Sequence, residues 1–132
     1  MANFETISWI DFDRMFKERT GCNLTDVENL SPTMSCMIES WSTHSDKYLF
    51  DKVLKIVKNK KGTILVVSEL SFLKNMGAFL LRDNNAEKFV DDYFNCFGES
   101  LFNGDTYFVF YEANVVVCFH HSGYLFLYNA NH

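Results

Sequence analysis

Apolar residues recur at helical spacing along most of the first half of the chain. The stretch after Ser8 predicts a helix that ends at Gly21, since glycine commonly follows the last helical residue. The stretch after Ser45 predicts a longer helix that runs to about Lys60. Residues 25–28, with the sequence TDVE, have the form of a capping box and predict a short helical turn. The first half of the chain is therefore predicted to be helical.

A further apolar stripe lies between these segments. Ser31 and Pro32 suit a helix start, because the missing N–H of proline costs nothing at the first helical position. The apolar side chains that follow recur at i, i+3, i+4 and i+7, and they are Met34, Met37, Ile38 and Trp41. This spacing predicts another amphipathic helix.

The pattern changes near the middle of the chain, where β-branched residues become continuous. Residues 63–67 predict a strand that is buried on both faces, and residues 77–81 predict a second strand that pairs back on it. Asn84 or Asn85 then caps a predicted helix over residues 86–97. The predicted order is therefore three helices, one or two strands and one further helix before the C-terminal part of the chain, so helices and strands are largely segregated along the sequence.

Three aromatic segments close the chain, and each has the length of a strand. They cover residues 106–112, 115–121 and 124–128, and the two-residue connections between them are typical of tight hairpins. The element order predicts an α+β fold, with a helical N-terminal half packed on an antiparallel sheet that ends in a three-stranded C-terminal meander. The length of 132 residues predicts that residues 1–132 form a single domain.

The charge is moderately acidic and unevenly distributed. Seventeen Asp and Glu stand against twelve Lys and Arg, and residues 1–62 carry nine of each sign. Residues 63–132 therefore hold the whole excess, eight acids against three basic residues, a net charge of −5. A negative field attracts basic surfaces and repels nucleic acid, so we expect a basic protein partner and no direct nucleic-acid binding. The alternative is a solvated face that only keeps the protein in solution.

Apolar runs and cysteines bear on the compartment. The longest uninterrupted apolar run, Val115 to Phe119, has the length of a strand and is far too short for a membrane span. The N-terminal residues lack the pattern of a secretory signal, and the four cysteines are scattered without a CxxC pair. We therefore expect a cytoplasmic protein with reduced thiols and no membrane partner.

Cys118 and His120 are the residues most suggestive of catalysis or metal binding. They alternate on a predicted strand and share a face, while His121 is predicted to point to the other face. Zinc needs further ligands, and a nucleophilic thiolate needs an orienting third group, which no spacing supplies. The sequence therefore predicts no metal, no cofactor and no catalytic residue. A small enzyme that uses Cys118 and His120 is kept as an alternative.

The tyrosines of the meander allow two interpretations. Tyr107 and Tyr111 share one face of their strand, and Tyr124 and Tyr128 share one face of theirs. An exposed tyrosine-rich face is typical of binding interfaces. In the alternative, helices cover the sheet on both faces and the tyrosines belong to the core.

Small size, acidity and the lack of a catalytic motif favour a non-catalytic protein-binding inhibitor. The leading hypothesis is a toxin-immunity protein that neutralises a basic toxin or nuclease by occluding its active or nucleic-acid-binding surface. A phage-encoded inhibitor of a host defence protein has the same physical character. The predicted partner-binding residues are Asp83, Glu87, Asp91, Asp92, Tyr107, Tyr111, Tyr124 and Tyr128. A homodimer is a further hypothesis, with either the strand at 115–119 or the tyrosine face buried between copies.

Overall fold

The computed structural model describes residues 4–57, 62–82 and 86–129. The α-helices of this part of the chain are α1 (Trp9–Thr20), α2 (Leu24–Val27), α3 (Asp46–Ile56), α4 (Glu69–Leu73) and α5 (Ala86–Phe97). The predicted helix starts at Ser8 and Ser45 are confirmed, because each hydroxyl accepts a hydrogen bond of 3.2 Å from a backbone N–H in the first turn. Helix α5 has the predicted bounds, whereas its predicted caps, Asn84 and Asn85, lie outside the described residues.

Seven strands in the described ranges form one sheet, and every pairing between neighbours is antiparallel. They are β1 (Thr6–Ile7), β2 (Met34–Met37), β3 (Ile64–Val67), β4 (Ala78–Leu81), β5 (Thr106–Phe110), β6 (Val115–His120) and β7 (Tyr124–Asn129). Their order across the sheet is β1-β4-β3-β5-β6-β7-β2. The predicted α+β class and the C-terminal meander of β5, β6 and β7 are confirmed.

The helix predicted after Pro32 is wrong, because residues 34–37 form the edge strand β2 instead. Met34 pairs with Leu127 and Met37 pairs with Tyr124, so β7 supplies the hydrogen bonds of the segment. All four side chains of β2 are exposed, so Met34 and Met37 of the predicted stripe do not face the core, whereas Ile38, directly after the strand, is buried in it. Pairing with an already formed strand outweighs the weak helical preference of so short a segment.

The short helix α2 begins slightly earlier than its predicted capping box. Asn23 is the N-cap, and its backbone N–H donates to the Asp26 carboxylate at 3.1 Å. The reciprocal box therefore joins Asn23 to Asp26 rather than starting at Thr25.

The sheet is buried on both faces, because successive residues of its central strands point into two separate cores. On one face α3 and α5 pack Phe50, Phe89 and Tyr93 against sheet residues such as Phe79 and Phe108. On the other face the core contains Phe12, Phe16, Leu24 and Val27 from α1 and α2, packed against sheet residues that include Leu65, Val109 and Val116. All four residues of β3 are buried as a result, as the continuous β-branched run predicted.

Strand β6 is internal, which bears on the homodimer hypothesis. It pairs with β5 on one side and β7 on the other, and Val116, Val117, Cys118 and Phe119 are at most 2% exposed. In this fold the strand has no free edge or face for a contact between copies. A dimer contact through β6 therefore has no support in the structure.

We predict that Gly77→Ala destabilises the protein more than Gly98→Ala. Both glycines have positive φ, 76° and 70°, so each substitution carries a backbone cost of roughly 1–2 kcal/mol. A Cβ at Gly77 would also collide with the carbonyl oxygen of Ile7, whereas a Cβ at Gly98 meets nothing within 4 Å. The collision adds roughly 1–3 kcal/mol. Urea unfolding followed by circular dichroism measures both losses, and equal losses would contradict the close approach of β1 to β4.

Candidate functional site

Of the predicted partner-binding residues that the structure describes, the acidic residues and the tyrosines lie on opposite sides of the sheet. Tyr107, Tyr111 and Tyr128 belong to the face that α1 and α2 cover. Glu87 and Asp91 lie on α5, which covers the other face. The residues proposed to bind a partner therefore do not form one continuous surface.

Most of the tyrosines make contacts within the protein. The Tyr107 hydroxyl donates a hydrogen bond to the Glu28 carboxylate, and burial together with this bond raises the pKa of Tyr107 above its ordinary value. The Arg19 guanidinium lies 5.4 Å from the ring centroid of Tyr111 and donates to its carbonyl oxygen at 3.1 Å. Tyr128 is 6% exposed, whereas Tyr124 is 39% exposed. Only Tyr124 of this set presents a large exposed surface.

The predicted acidic residues also do not all lie on one accessible surface. Asp83 lies outside the described residues. Asp92 is partly buried, its carboxylate is 3.9 Å from the Lys88 amine, and it lines a cavity that it shares with Arg82. Glu87 and Asp91 are exposed and face the space between α5 and α3. Two of the four predicted acids therefore remain together on one accessible surface.

That space is a groove between α3 and α5, which we call the α3–α5 groove. It consists of two cavities of about 580 and 330 Å³ that share Ser45, Lys47 and Val90 in their walls. Its floor is apolar because Leu49, Val90 and Phe102 of the core reach it. Grooves of this size are large enough to accept several side chains of a partner.

Exposed aromatic rings line the α3–α5 groove. Phe94 is 53% exposed and Tyr48 is 41% exposed, and Tyr48 stacks on His44 with the ring centroids 4.0 Å apart. Trp41, which was predicted to lie on a helix stripe, instead begins a 3-10 turn and lies in the wall of the groove. Large aromatic side chains that stay exposed next to a cavity are typical of protein-binding surfaces.

The charge of the groove is negative. Four carboxylates (Asp46, Asp51, Glu87 and Asp91) and one lysine, Lys47, line its two cavities, and Asp51 is paired with Lys55 at 3.1 Å. Asp46 has a structural role, since it accepts hydrogen bonds from the Ser100 hydroxyl at 2.5 Å and the Leu101 N–H at 2.8 Å. These bonds attach the loop after α5 to the start of α3 and so shape one end of the groove.

Cys118 is not placed for nucleophilic chemistry. It is 2% exposed, and burial, with smaller contributions from Asp105 and Glu28, raises the pKa of its thiol to about 12. A nucleophilic cysteine needs the opposite environment, one that is accessible and stabilises the thiolate. The alternative of a Cys118–His120 enzyme therefore lacks its nucleophile in this structure.

The two histidines at the end of β6 lie together, contrary to the prediction that they point to opposite faces. Strand β6 ends at His120, and His121 begins the following turn, so their ring centroids are 4.1 Å apart. His121 Nδ1 is 2.9 Å from Asp105 Oδ1, and His120 Nδ1 is 2.6 Å from the Ser122 hydroxyl. One ligand atom from each of Asp105, His120 and His121 lies within 4.8 Å of the others. Sequence spacing did not join Asp105 to this cluster, because fourteen residues lie between it and His120.

Comparison with known proteins provides no relative from which a function could be inferred. No family model matches the chain, and no curated protein or solved structure is significantly similar to it. Among the described residues, no helix combines the length and the apolar character needed to cross a membrane. The functional argument therefore depends on the groove and on the cluster at the end of β6.

We predict that Cys118 is inert towards a chromogenic thiol reagent in the native protein. Cys36 and Cys96 are exposed, so they should react rapidly at neutral pH, whereas Cys118 should react only after unfolding in denaturant. Peptide mapping of the labelled protein identifies each site. Native labelling of Cys118 at the rate of Cys36 would contradict the buried, protonated thiol and revive the enzyme alternative.

Proposed function

We propose that this protein is a non-catalytic binding protein that inhibits a basic protein partner, and that the α3–α5 groove is its contact surface. A toxin-immunity role fits this proposal best: the partner would be a cationic toxin or nuclease, neutralised by occlusion of its active or nucleic-acid-binding surface. The observation that carries the proposal is the combination of exposed Phe94 and Tyr48 with the carboxylates of Glu87 and Asp91 in one groove.

The groove has the anatomy of an interface that binds through aromatic anchors. A few large, well-desolvated side chains usually carry most of the binding energy of an interface, while the surrounding polar groups set orientation and rate. Phe94 and Tyr48 are the candidate anchors because they are exposed beside an apolar floor. A Lys or Arg side chain of the partner could lie along the Phe94 ring and reach Asp91, whereas the Tyr48 ring already stacks on His44 and has the Lys52 amine 5.0 Å from its centroid.

The charge distribution supports a basic partner. The protein has a net charge of −5, which would accelerate encounter with a cationic surface and compete with nucleic acid for it. The tyrosine face becomes a weaker candidate than the sequence suggested, because Tyr107, Tyr111 and Tyr128 are engaged with α1 and α2. We propose the cytoplasm as the compartment, where the exposed thiols of Cys36 and Cys96 would stay reduced.

The proposal predicts that the groove, and no other acidic surface, controls partner binding. The tagged protein is first used to capture partners from its native host and from the products of neighbouring genes, with elution by rising salt. Phe94→Ala should weaken binding of the captured partner by about tenfold or more, as expected for a hot-spot residue. The double variant Glu87→Lys/Asp91→Lys should weaken it by at least about tenfold and reduce the salt dependence.

The matched control is Asp13→Lys/Glu18→Lys, which makes the same change of charge on exposed residues of α1, on the opposite side of the sheet. We expect it to change affinity by less than about threefold, since distant exposed charges are screened at physiological salt. Equal losses for the two double variants would mean that overall charge, rather than the groove, governs binding. Capture of no basic partner at low salt would refute the inhibitor function itself.

A further inference from the structure

We propose that Asp105, His120 and His121 form a binding site for a transition-metal ion of the zinc class. The three side chains come from the start of β5, the end of β6 and the turn that follows β6. Their candidate ligand atoms lie within 4.8 Å of one another. The site uses none of the residues that line the α3–α5 groove, so it does not depend on the function proposed above.

The donor set selects the class of metal. Two imidazole nitrogens and one carboxylate oxygen suit Zn²⁺ and its neighbours in the transition series, whereas Mg²⁺ and Ca²⁺ prefer oxygen ligands alone. Ligands of one zinc ion lie about 2.0–2.2 Å from the metal, so donor atoms must be somewhat closer together than 4.8 Å. The His121 side chain is 66% exposed, so its ring can rotate by the small amount needed.

The sheet holds the ligands in place. Thr106 pairs with Phe119, so the antiparallel register brings the preceding Asp105 next to His120. The backbone N–H of His121 donates to Asp105 Oδ1 at 2.9 Å, which fixes the turn against the carboxylate. The backbones that carry Asp105 and His120 are therefore held by the sheet, and the Asp105 carboxylate is held by the turn, which lowers the entropy cost of ordering these two ligands.

A further contact orients the His120 ring. Its Nδ1 lies 2.6 Å from the Ser122 hydroxyl and also accepts a hydrogen bond from the Ser122 backbone N–H at 3.2 Å. Both contacts engage Nδ1, so Nε2 is the nitrogen that the ring would present to the metal. Metal-binding histidines usually donate their other ring N–H to an oxygen, so binding through Nε2 would place the proton on Nδ1, where the Ser122 hydroxyl can accept it. Three protein ligands also leave a fourth tetrahedral position for water or for a side chain of a partner.

The test is calorimetric titration of the protein with zinc chloride. The exposed thiols of Cys36 and Cys96 are themselves zinc ligands, so the titration uses the protein with both residues changed to serine. We expect one zinc ion per chain and a rise in the thermal unfolding midpoint with zinc concentration. Magnesium in large excess should neither bind nor compete.

Variants of each ligand establish where the ion binds. His120→Ala, His121→Ala and Asp105→Asn should each weaken zinc binding by about tenfold or more, and Ser122→Ala should weaken it less. His44→Ala is the matched control, because His44 stacks on Tyr48 in the groove and should leave the affinity unchanged. Circular dichroism confirms that each variant is folded. His121 lies in an exposed turn, so His121→Ala tests the site even if the Asp105 variant unfolds.

Cobalt(II) provides a second readout. Cobalt(II) bound at the intact site by nitrogen and oxygen ligands at low coordination number should absorb visible light more intensely than the hydrated ion. This absorption should be lost in His120→Ala and His121→Ala. The proposal is overturned if zinc neither binds nor stabilises the protein. It is also overturned if binding is the same in all three ligand variants, in which case the cluster only fastens the start of β5 to the turn after β6.

Discussion

The burial of one antiparallel sheet on both faces is the constraint on which the rest of this structure depends. Adjacent residues of β3 point into different cores, one closed by α3 and α5 and the other by α1 and α2. Such an arrangement leaves the central strands no exposed side chains, as the burial of all four residues of β3 shows. The aromatic residues of the meander are therefore largely used to build the protein, and surface chemistry is left to the outer helices and the ends of strands.

This constraint explains why the α3–α5 groove is the best candidate site. Two helices that lie on a sheet leave a groove between them wherever their facing side chains do not fill the space. Here Phe94 and Tyr48 remain exposed beside the α3–α5 groove, although an apolar core lies directly beneath it. Both rings are therefore accessible from solvent, as the proposed binding role requires.

Some carboxylates of the protein form hydrogen bonds that hold the fold together, and others are exposed to solvent. The fold determines to which group each carboxylate belongs. Asp46 joins the loop after α5 to α3, and Glu28 accepts a hydrogen bond from Tyr107. Asp105 is engaged with His121 at the end of the meander. Glu87 and Asp91 are exposed along the groove. A count of acidic residues therefore overstates the negative surface available to a partner.

The sequence by itself determined the α+β class, the caps of α1 and α3, the bounds of α5 and the three-stranded meander. These features depend on local rules, namely side-chain periodicity, capping hydroxyls and two-residue turns, which act over a few neighbouring residues. Acidic residues on α5 were also visible, and Glu87 and Asp91 are part of the candidate site.

Tertiary structure alone decided the remaining features, because each depends on residues distant in sequence. Residues 34–37 became a strand because β7, almost ninety residues later, offered them a free edge. The tyrosines and the acidic helix were assigned to opposite surfaces by the packing of α1 and α2 on one face and α3 and α5 on the other. Asp105 met His120 and His121 through the register of β5 and β6. Local patterns specify most of the elements, whereas pairing and packing decide the type of a short segment such as residues 34–37 and determine which side chains share a site.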